Sequence, residues 1–269
     1  MIATLARFIP RTAPAAVIGS GSFGDTPELG WTPTLVTTRN MSAISQSGWG
    51  IQGSSNLALA TDASAPVSPN TVIRETTPES FVSGSSAAGQ EFNPINATAP
   101  ARILHAHAFL YETGWNWHPT STQKMVFSTI NGANSFYTCA WGSVASAVYF
   151  GVGLQGLFSW QGSTDPDDLS VNLNTGGPAA AQITENVWKI YWTEITGNTA
   201  GQENARVRQW VDSGAGPVLT LDQTGFAFTS AAAKVDAINI STMRGGNGPV
   251  NPSACSLLHD SFILWRDAA

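Results

Sequence analysis

Two histidines, His105 and His107, stand one residue apart in the string ARILHAHAFLYE, Ala101–Glu112. In an extended strand they share a face with Ile103, Phe109 and Tyr111, because successive side chains alternate. Two arginines, Arg206 and Arg208, alternate in the same way in ARVRQWVD, Ala205–Asp212. Brought together on one sheet, these residues are a kit for eliminating a proton beside a carboxylate. An arginine neutralises the carboxylate and a histidine or tyrosine acts as base. The plainer reading is a mixed sheet face with hydrogen-bonded imidazoles. Glycoside hydrolysis needs two facing carboxylates, whereas Glu185 and Glu194 lie along one stretch with bulky tryptophans between them. Asp165, Asp167 and Asp168 cluster in D-P-D-D, which lacks the alternate spacing of a calcium loop. A solvated acidic turn is the expectation there, with calcium left open. Cys139 and Cys255 lie far apart and no C-x-x-C or paired-His spacing exists, so zinc is not expected; two buried thiols are the expectation, with a disulfide left open should their strands be neighbours. GSGSFG at Gly19–Gly24 has no βαβ unit around it and is no dinucleotide site. No residue is assigned a catalytic role, and no cofactor is expected.

The ten tryptophans are the strongest signal in the composition. Tryptophan stacks on sugar rings and anchors interfaces. Exposure is expected for Trp115, Trp192 and Trp210. The last two belong to a hairpin within Ile183–Asp212. Its strands, Val187–Ile195 and Ala205–Asp212, flank the polar loop Thr196–Asn204. Alternation puts Trp188, Ile190, Trp192 and Glu194 on one face of the first strand. Arg206, Arg208, Trp210 and Asp212 share one face of the second. Symmetric closure of the loop would set Glu194 opposite Arg206, Trp192 opposite Arg208 and Ile190 opposite Trp210. The candidate glycan- or partner-binding set is therefore Trp192, Glu194, Arg206, Arg208 and Trp210, with His105, His107 and Trp115.

The rest of the chain must position that hairpin. Thr34–Ala60 alternates weakly and should give two short strands around Gly48–Gly53. Thr71–Arg74 is a strand and Pro78–Gly89 a loop. In Ala101–Glu112, the small apolar face of Leu104, Ala106, Ala108 and Leu110 is expected to be core. Lys124–Ile130 and Ser135–Trp141 are strands joined by the turn N-G-A-N. Ala147–Trp160, Pro217–Leu221, Ala237–Ser241 and Ser256–Trp265 supply further strands. Ser230–Val235 could form one helical turn, and Thr242–Ser253 is expected to be a long loop. Met1–Pro33 carries prolines 10, 14, 27 and 33 and no periodicity, so it is read as an extended arm. Its apolar residues, among them Leu5, Phe8, Ile9, Val17, Ile18 and Phe23, suit docking on a neighbouring subunit or wrapping on its own domain. Residues 34–269 form the second unit.

W-x-x-x-W-T-E (Trp188–Glu194), a polar loop and R-x-W-V-D (Arg208–Asp212) resemble the central hairpin of concanavalin A-like lectin/glucanase sandwiches, including laminin-G-like and polysaccharide-lyase-like modules. DASAP at Asp62–Pro66, LYETGWNWHPTSTQK at Leu110–Lys124 and LHDSFILW at Leu258–Trp265 resemble other strands of these modules. The resemblance covers roughly residues 45–266 and implies an all-β, two-sheet antiparallel jelly-roll sandwich. The R-x-E-x-R, Q-I-H and Y-x-K-x-G-x-Y strings of alginate lyases are absent, and so is the E-x-D-x-x-E strand of the glucanases.

Composition narrows the function classes. With 269 residues, 42% hydrophobic and only 11% charged, one large sandwich accommodates the chain. A net charge of −6 argues against nucleic acid or an anionic membrane as a partner. Arg7, Arg11, Pro10 and Pro14 interrupt any secretory apolar run near the start. The expectation is a non-catalytic virion structural or decoration protein of a phage, made in a host cytoplasm, whose arm docks on neighbouring subunits or on further copies of itself. A glycan-binding module for host-surface polysaccharide is the alternative, and a polysaccharide lyase a further one. Export by another route stays open.

Overall fold

Long alternating strings with β-branched and aromatic residues become strands, and among the described residues almost no other regular structure forms. The protein is described by a computed structural model covering Phe23 and residues 26–67, 71–78, 86–95, 99–114, 121–142, 148–154, 157–163, 171–173, 182–246 and 254–267. In chain order the early strands are β1 (Pro33–Asn40), β2 (Trp49–Gln52), β3 (Leu57–Ala60), β4 (Val72–Thr77), β5 (Ser86–Phe92) and β6 (Arg102–Tyr111). Then come β7 (Ser121–Ile130), β8 (Ala133–Gly142), β9 (Val148–Leu154), β10 (Ser159–Trp160), β11 (Val171–Leu173) and β12 (Gln182–Ile183). The last are β13 (Lys189–Thr196), β14 (Ala205–Asp212), β15 (Val218–Ala227), β16 (Val235–Gly246) and β17 (Cys255–Asp267). Among the described residues the only helical turn is a 3₁₀ turn at Ser54–Asn56, and no helix is long and apolar enough to cross a membrane.

The strands build two antiparallel sheets. The first runs β10-β15-β14-β13-β6-β17-β4-β3, with β1 also paired to β17. The second runs β11-β9-β8-β7-β16-β5-β2, with β12 on β9. This is the jelly-roll sandwich expected from the sequence. The β7–β8 turn is tighter than N-G-A-N. Ile130 pairs with Ala133, so only Asn131 and Gly132 turn, both at positive φ, as a two-residue hairpin requires.

The main core lies between the sheets. Ile103, Tyr191, Ile195, Val207, Phe262 and Leu264 of the first sheet meet Val126, Val152, Ile238 and Ile240 of the second. A separate cluster lies on the outer face of the first sheet. There Leu104, Ala106, Ala108, Ile190, Trp192, Trp210, Ile263 and Trp265 are covered by Phe23, with Leu29, Trp31 and Val67 packed against them. The middle of the first sheet, β6, β13 and β17, is therefore buried on both faces. This corrects one expectation: Leu104, Ala106 and Ala108 do not face the main core, whereas His105 and His107 lie on the face that does.

Other local expectations also shift. Residues 230–234 form no helical turn, and β16 starts at Val235. It runs on to Gly246, inside the segment expected to be loop, because Gly245 and Gly246 still pair by backbone with Thr122 and Ser121. β5 starts at Ser86, within Pro78–Gly89. Cys139 is in β8 of the second sheet and buried Cys255 in β17 of the first.

At one end of the sandwich three segments meet through backbone alone. Gly197 N–H donates to Ala101 O, Ala101 N–H to Ala233 O and Ala233 N–H to Asn198 O. A Cβ at Gly197 would stand 2.5 Å from Ala233 O, so glycine is required there by close approach. Buried Asn198 ties the same end, accepting from Phe228 N–H and donating to the carbonyls of Thr199, Thr229 and Ala231.

Candidate functional site

The hairpin β13–β14 carries most of the candidate residues, and alternation sorts them as expected. Trp192, Glu194, Arg206, Arg208 and Trp210 share the outer face of the first sheet. The register differs by two residues from symmetric closure. Glu194 faces Arg208, Trp192 faces Trp210 and Ile190 faces Asp212, while Arg206 faces Thr196. The loop is too long and irregular to fix pairing by its own geometry.

The shifted register makes a different set of contacts. Arg208 Nη2 lies 2.5 Å from Glu194 Oε2, and Nε donates to Oε1 at 3.2 Å. The guanidinium also stacks over Trp210, 4.8 Å from the ring centroid, a geometry that attracts cation to π face. The same guanidinium donates to Leu29 O at 2.8 Å and Glu28 O at 3.4 Å. Trp31 Nε1–H donates to Glu194 Oε2 at 2.8 Å, and Arg102 lies 5.5 Å from the Trp31 ring centroid. The carboxylate–guanidinium pair is thus nearly sealed, with side chains 2% and 12% exposed. Arg206 differs. It makes a two-pronged pair with Asp222 at 2.7 and 2.6 Å, at 41% and 38% side-chain exposure. Each charge favours the other, raising the guanidinium and lowering the carboxylate from their ordinary values, chiefly through that hydrogen bond.

Trp192 is fully buried and Trp210 nearly so, against the expectation of exposure. The cause is Phe23, Leu29 and Trp31, which pack on the chain's own sheet. Phe23 meets Trp192 edge-on, ring centroids 5.6 Å apart, and Trp192 stacks on Trp265 at 5.7 Å. Trp115 lies outside the described residues, as do residues 1–22 of the expected arm and Asp165, Asp167 and Asp168.

The histidines lie on the other face. His105 and His107 are 1% exposed, between the sheets, in register with Thr193 and Tyr191 of β13. His259 of β17 was not singled out by sequence, yet it links the group. His259 Nε2 lies 3.1 Å from Glu75 Oε2, and His107 Nε2 lies 3.0 Å from His259 Nδ1. With Glu75 a carboxylate, His259 Nε2–H donates to it and His107 Nε2–H donates to His259 Nδ1. Among the described residues, His107 Nδ1, both nitrogens of His105 and the side-chain polar atoms of Thr193 and Gln209 have no hydrogen-bond partner. The imidazoles are therefore not all satisfied, contrary to the plainer sequence reading. Burial holds His105 down to about 3. Burial first, then repulsion from His259 and His105, holds His107 well below its ordinary value. Burial likewise drives Tyr191 well above its ordinary range. His105, His107 and Tyr191 are therefore neutral at physiological pH and sealed from any polymeric substrate. The sequence signal for the line was weak, since Glu75, His107 and His259 sit on three strands distant in the chain.

Among the described residues no group of three or more His, Cys, Asp or Glu side chains could hold a metal ion.

No family model matches the chain, and no curated protein sequence matches it. Solved structures do. A marine PL-14 alginate lyase from Aplysia kurodai is similar at TM-score 0.63 and 15% identity, over 86% of this chain and 98% of that one. The alginate lyase vAL-1 from Chlorella virus is similar at 0.59 and 13%, over 86% and 99%. A carbohydrate esterase from the Shiga toxin-encoding bacteriophage phi24B is similar at 0.53 and 12%, over 88% and 100%. At such identities the likeness is one of fold, a jelly-roll sandwich shared with carbohydrate-active enzymes.

Proposed function

We propose that this chain is a non-catalytic, polysaccharide-directed sandwich serving as a structural or decoration protein of a virion. The observation that carries the reading is the fate of the candidate elimination kit. His105 and His107 are sealed between the sheets, and Arg208 is spent on Glu194 and on two backbone carbonyls. A base must come within hydrogen-bond reach of the proton it removes, and these cannot. The fold still favours sugar as a partner, since the similar structures act on alginate or bear the name of a carbohydrate esterase. Two of them come from viruses, which supports the virion setting. The arm's role as a dock on neighbouring subunits rests on its apolar residues spaced among proline and glycine.

The test is incubation with alginate, hyaluronan, glucuronan and β-glucan, following both retention of the protein by the polymer and release of unsaturated ends. Retention without cleavage is expected. Unsaturated product that scales with protein concentration overturns the non-catalytic reading. In parallel, removing residues 1–22 should leave the melting temperature unchanged and abolish self-association or attachment to particles. Unchanged assembly would overturn the docking role.

A further inference from the structure

The outer face of the first sheet is organised in cross-strand rows. One row runs Ile263, Ala106, Trp192, Trp210 and Leu219, and the next runs Trp265, Leu104, Glu194, Arg208 and Asp222. Three indoles, Trp192, Trp210 and Trp265, form an aromatic platform beside a buried carboxylate and guanidinium. Phe23 and residues 26–31 lie over it.

We propose that Phe23 and residues 26–31 occupy, within the chain, a platform built to take a linear polysaccharide, and that displacing them opens that site. This rests on the polysaccharide-directed reading above.

Each contact of the covering segment has a counterpart in a sugar chain. Phe23 sets an apolar ring against the Trp192 indole, as the C–H face of a pyranose does. Trp31 donates one N–H to Glu194, as a sugar hydroxyl does. The carbonyls of Glu28 and Leu29 accept from Arg208, as hydroxyl or carboxylate oxygens do. The fit of the segment is also incomplete in a telling way. Trp192 Nε1–H, on a fully buried side chain, has no acceptor, and Arg102 Nε–H near Trp31 has none either. A buried donor left unpaired is costly, and the Phe23 ring set against Trp192 offers no oxygen to accept from it. A sugar, which carries an oxygen on nearly every ring carbon, offers several. Among the described residues the segment joins no strand before Pro33, so lifting Phe23 and residues 26–31 breaks no sheet pairing.

The experiment compares the full chain with its Phe23→Ala/Trp31→Ala variant by titration calorimetry against alginate and β-glucan oligosaccharides. A site covered in most molecules binds with an apparent affinity reduced by the uncovered fraction, so the variant should bind about tenfold more tightly. A synthetic peptide spanning residues 21–32 should compete and return the affinity to that of the parent chain. Equal affinity in parent and variant overturns the platform while leaving the polysaccharide reading in place at another surface. Binding by neither, with the variant folded by near-UV circular dichroism, overturns both. Should the double variant not fold, Trp31→Phe keeps an aromatic ring, smaller than the indole, and deletes the N–H to Glu194. It is expected to tighten binding by about twofold to threefold, and unchanged affinity in it overturns the proposal.

Discussion

The two faces of β6, β13 and β14 solve opposite problems with the same backbone. On the outer face, Glu194 and Arg208 are covered with their polar atoms partnered: Arg208 by Glu194 and two carbonyls, Glu194 by Arg208 and Trp31. On the inner face, His105, His107, Thr193 and Gln209 are buried as deeply, but several of their polar atoms have no partner. There burial strips the imidazoles of charge instead. A buried ionic pair survives only where its geometry is completed; a buried titratable group without that completion goes neutral. The comparison also shows why chemistry-bearing residue types on adjacent positions of one strand need not belong to one site.

The largest expected break is Trp192→Ala. It removes the centre of the platform and leaves a cavity that Phe23 and Trp265 cannot fill, costing about 4 kcal/mol in urea unfolding. Next comes Glu194→Ala, which leaves the Arg208 guanidinium covered without a carboxylate and should cost about 3 kcal/mol. The double variant with Arg208→Ala should cost clearly less than the sum of the single changes, and strict additivity in the cycle would refute the pairing. The inner face is sharpened by pH. The folded-state value of His105 lies near 3, below its ordinary 6.5, so below about 6.5 the unfolded chain takes up this proton first. The stability is present in full above that pH and is lost as pH falls towards 3. In His105→Leu the loss on acidification should be shallower than in the parent chain by up to about 1.4 kcal/mol per pH unit. Parallel stability curves between about pH 4 and 7 would contradict a neutral buried His105. The smallest effect is expected for Arg206→Ala. Its pair with Asp222 is open to water, so its loss should cost under about 1 kcal/mol, in contrast to the sealed Arg208 two residues on.

Much of the fold was legible because alternation is a local property. It marked β6 and β14 closely and sorted Trp192, Glu194, Arg208 and Trp210 onto one face of the hairpin. What alternation cannot say is which face meets water. Leu104, Ala106 and Ala108 looked like the core side because they are small and apolar, yet they are buried by a segment that shows no periodicity at all. The same blindness hid the burial of Trp192 and Trp210. The hairpin register was missed because it depends on pairing across a long loop. The Glu75–His259–His107 line was missed because its members come from β4, β17 and β6, and nothing in their own neighbourhoods announces the meeting. The long reach of β16 was hidden by glycines, which pair by backbone without contributing a pattern.

The position of β17 bears on how the chain can be made. Residues 255–267 fill the middle of the first sheet, with β6 along one edge and β4 and β1 sharing the other. A chain emerging from a ribosome has synthesised β1, β4 and β6 long before these residues exist. Until then both neighbouring edges are open, with unpaired N–H and C=O groups that invite other nascent chains. The fold therefore closes from its middle, and late. A polypeptide stalled or clipped before Cys255 would be left not with a slightly shorter sandwich but with a sheet split into two halves.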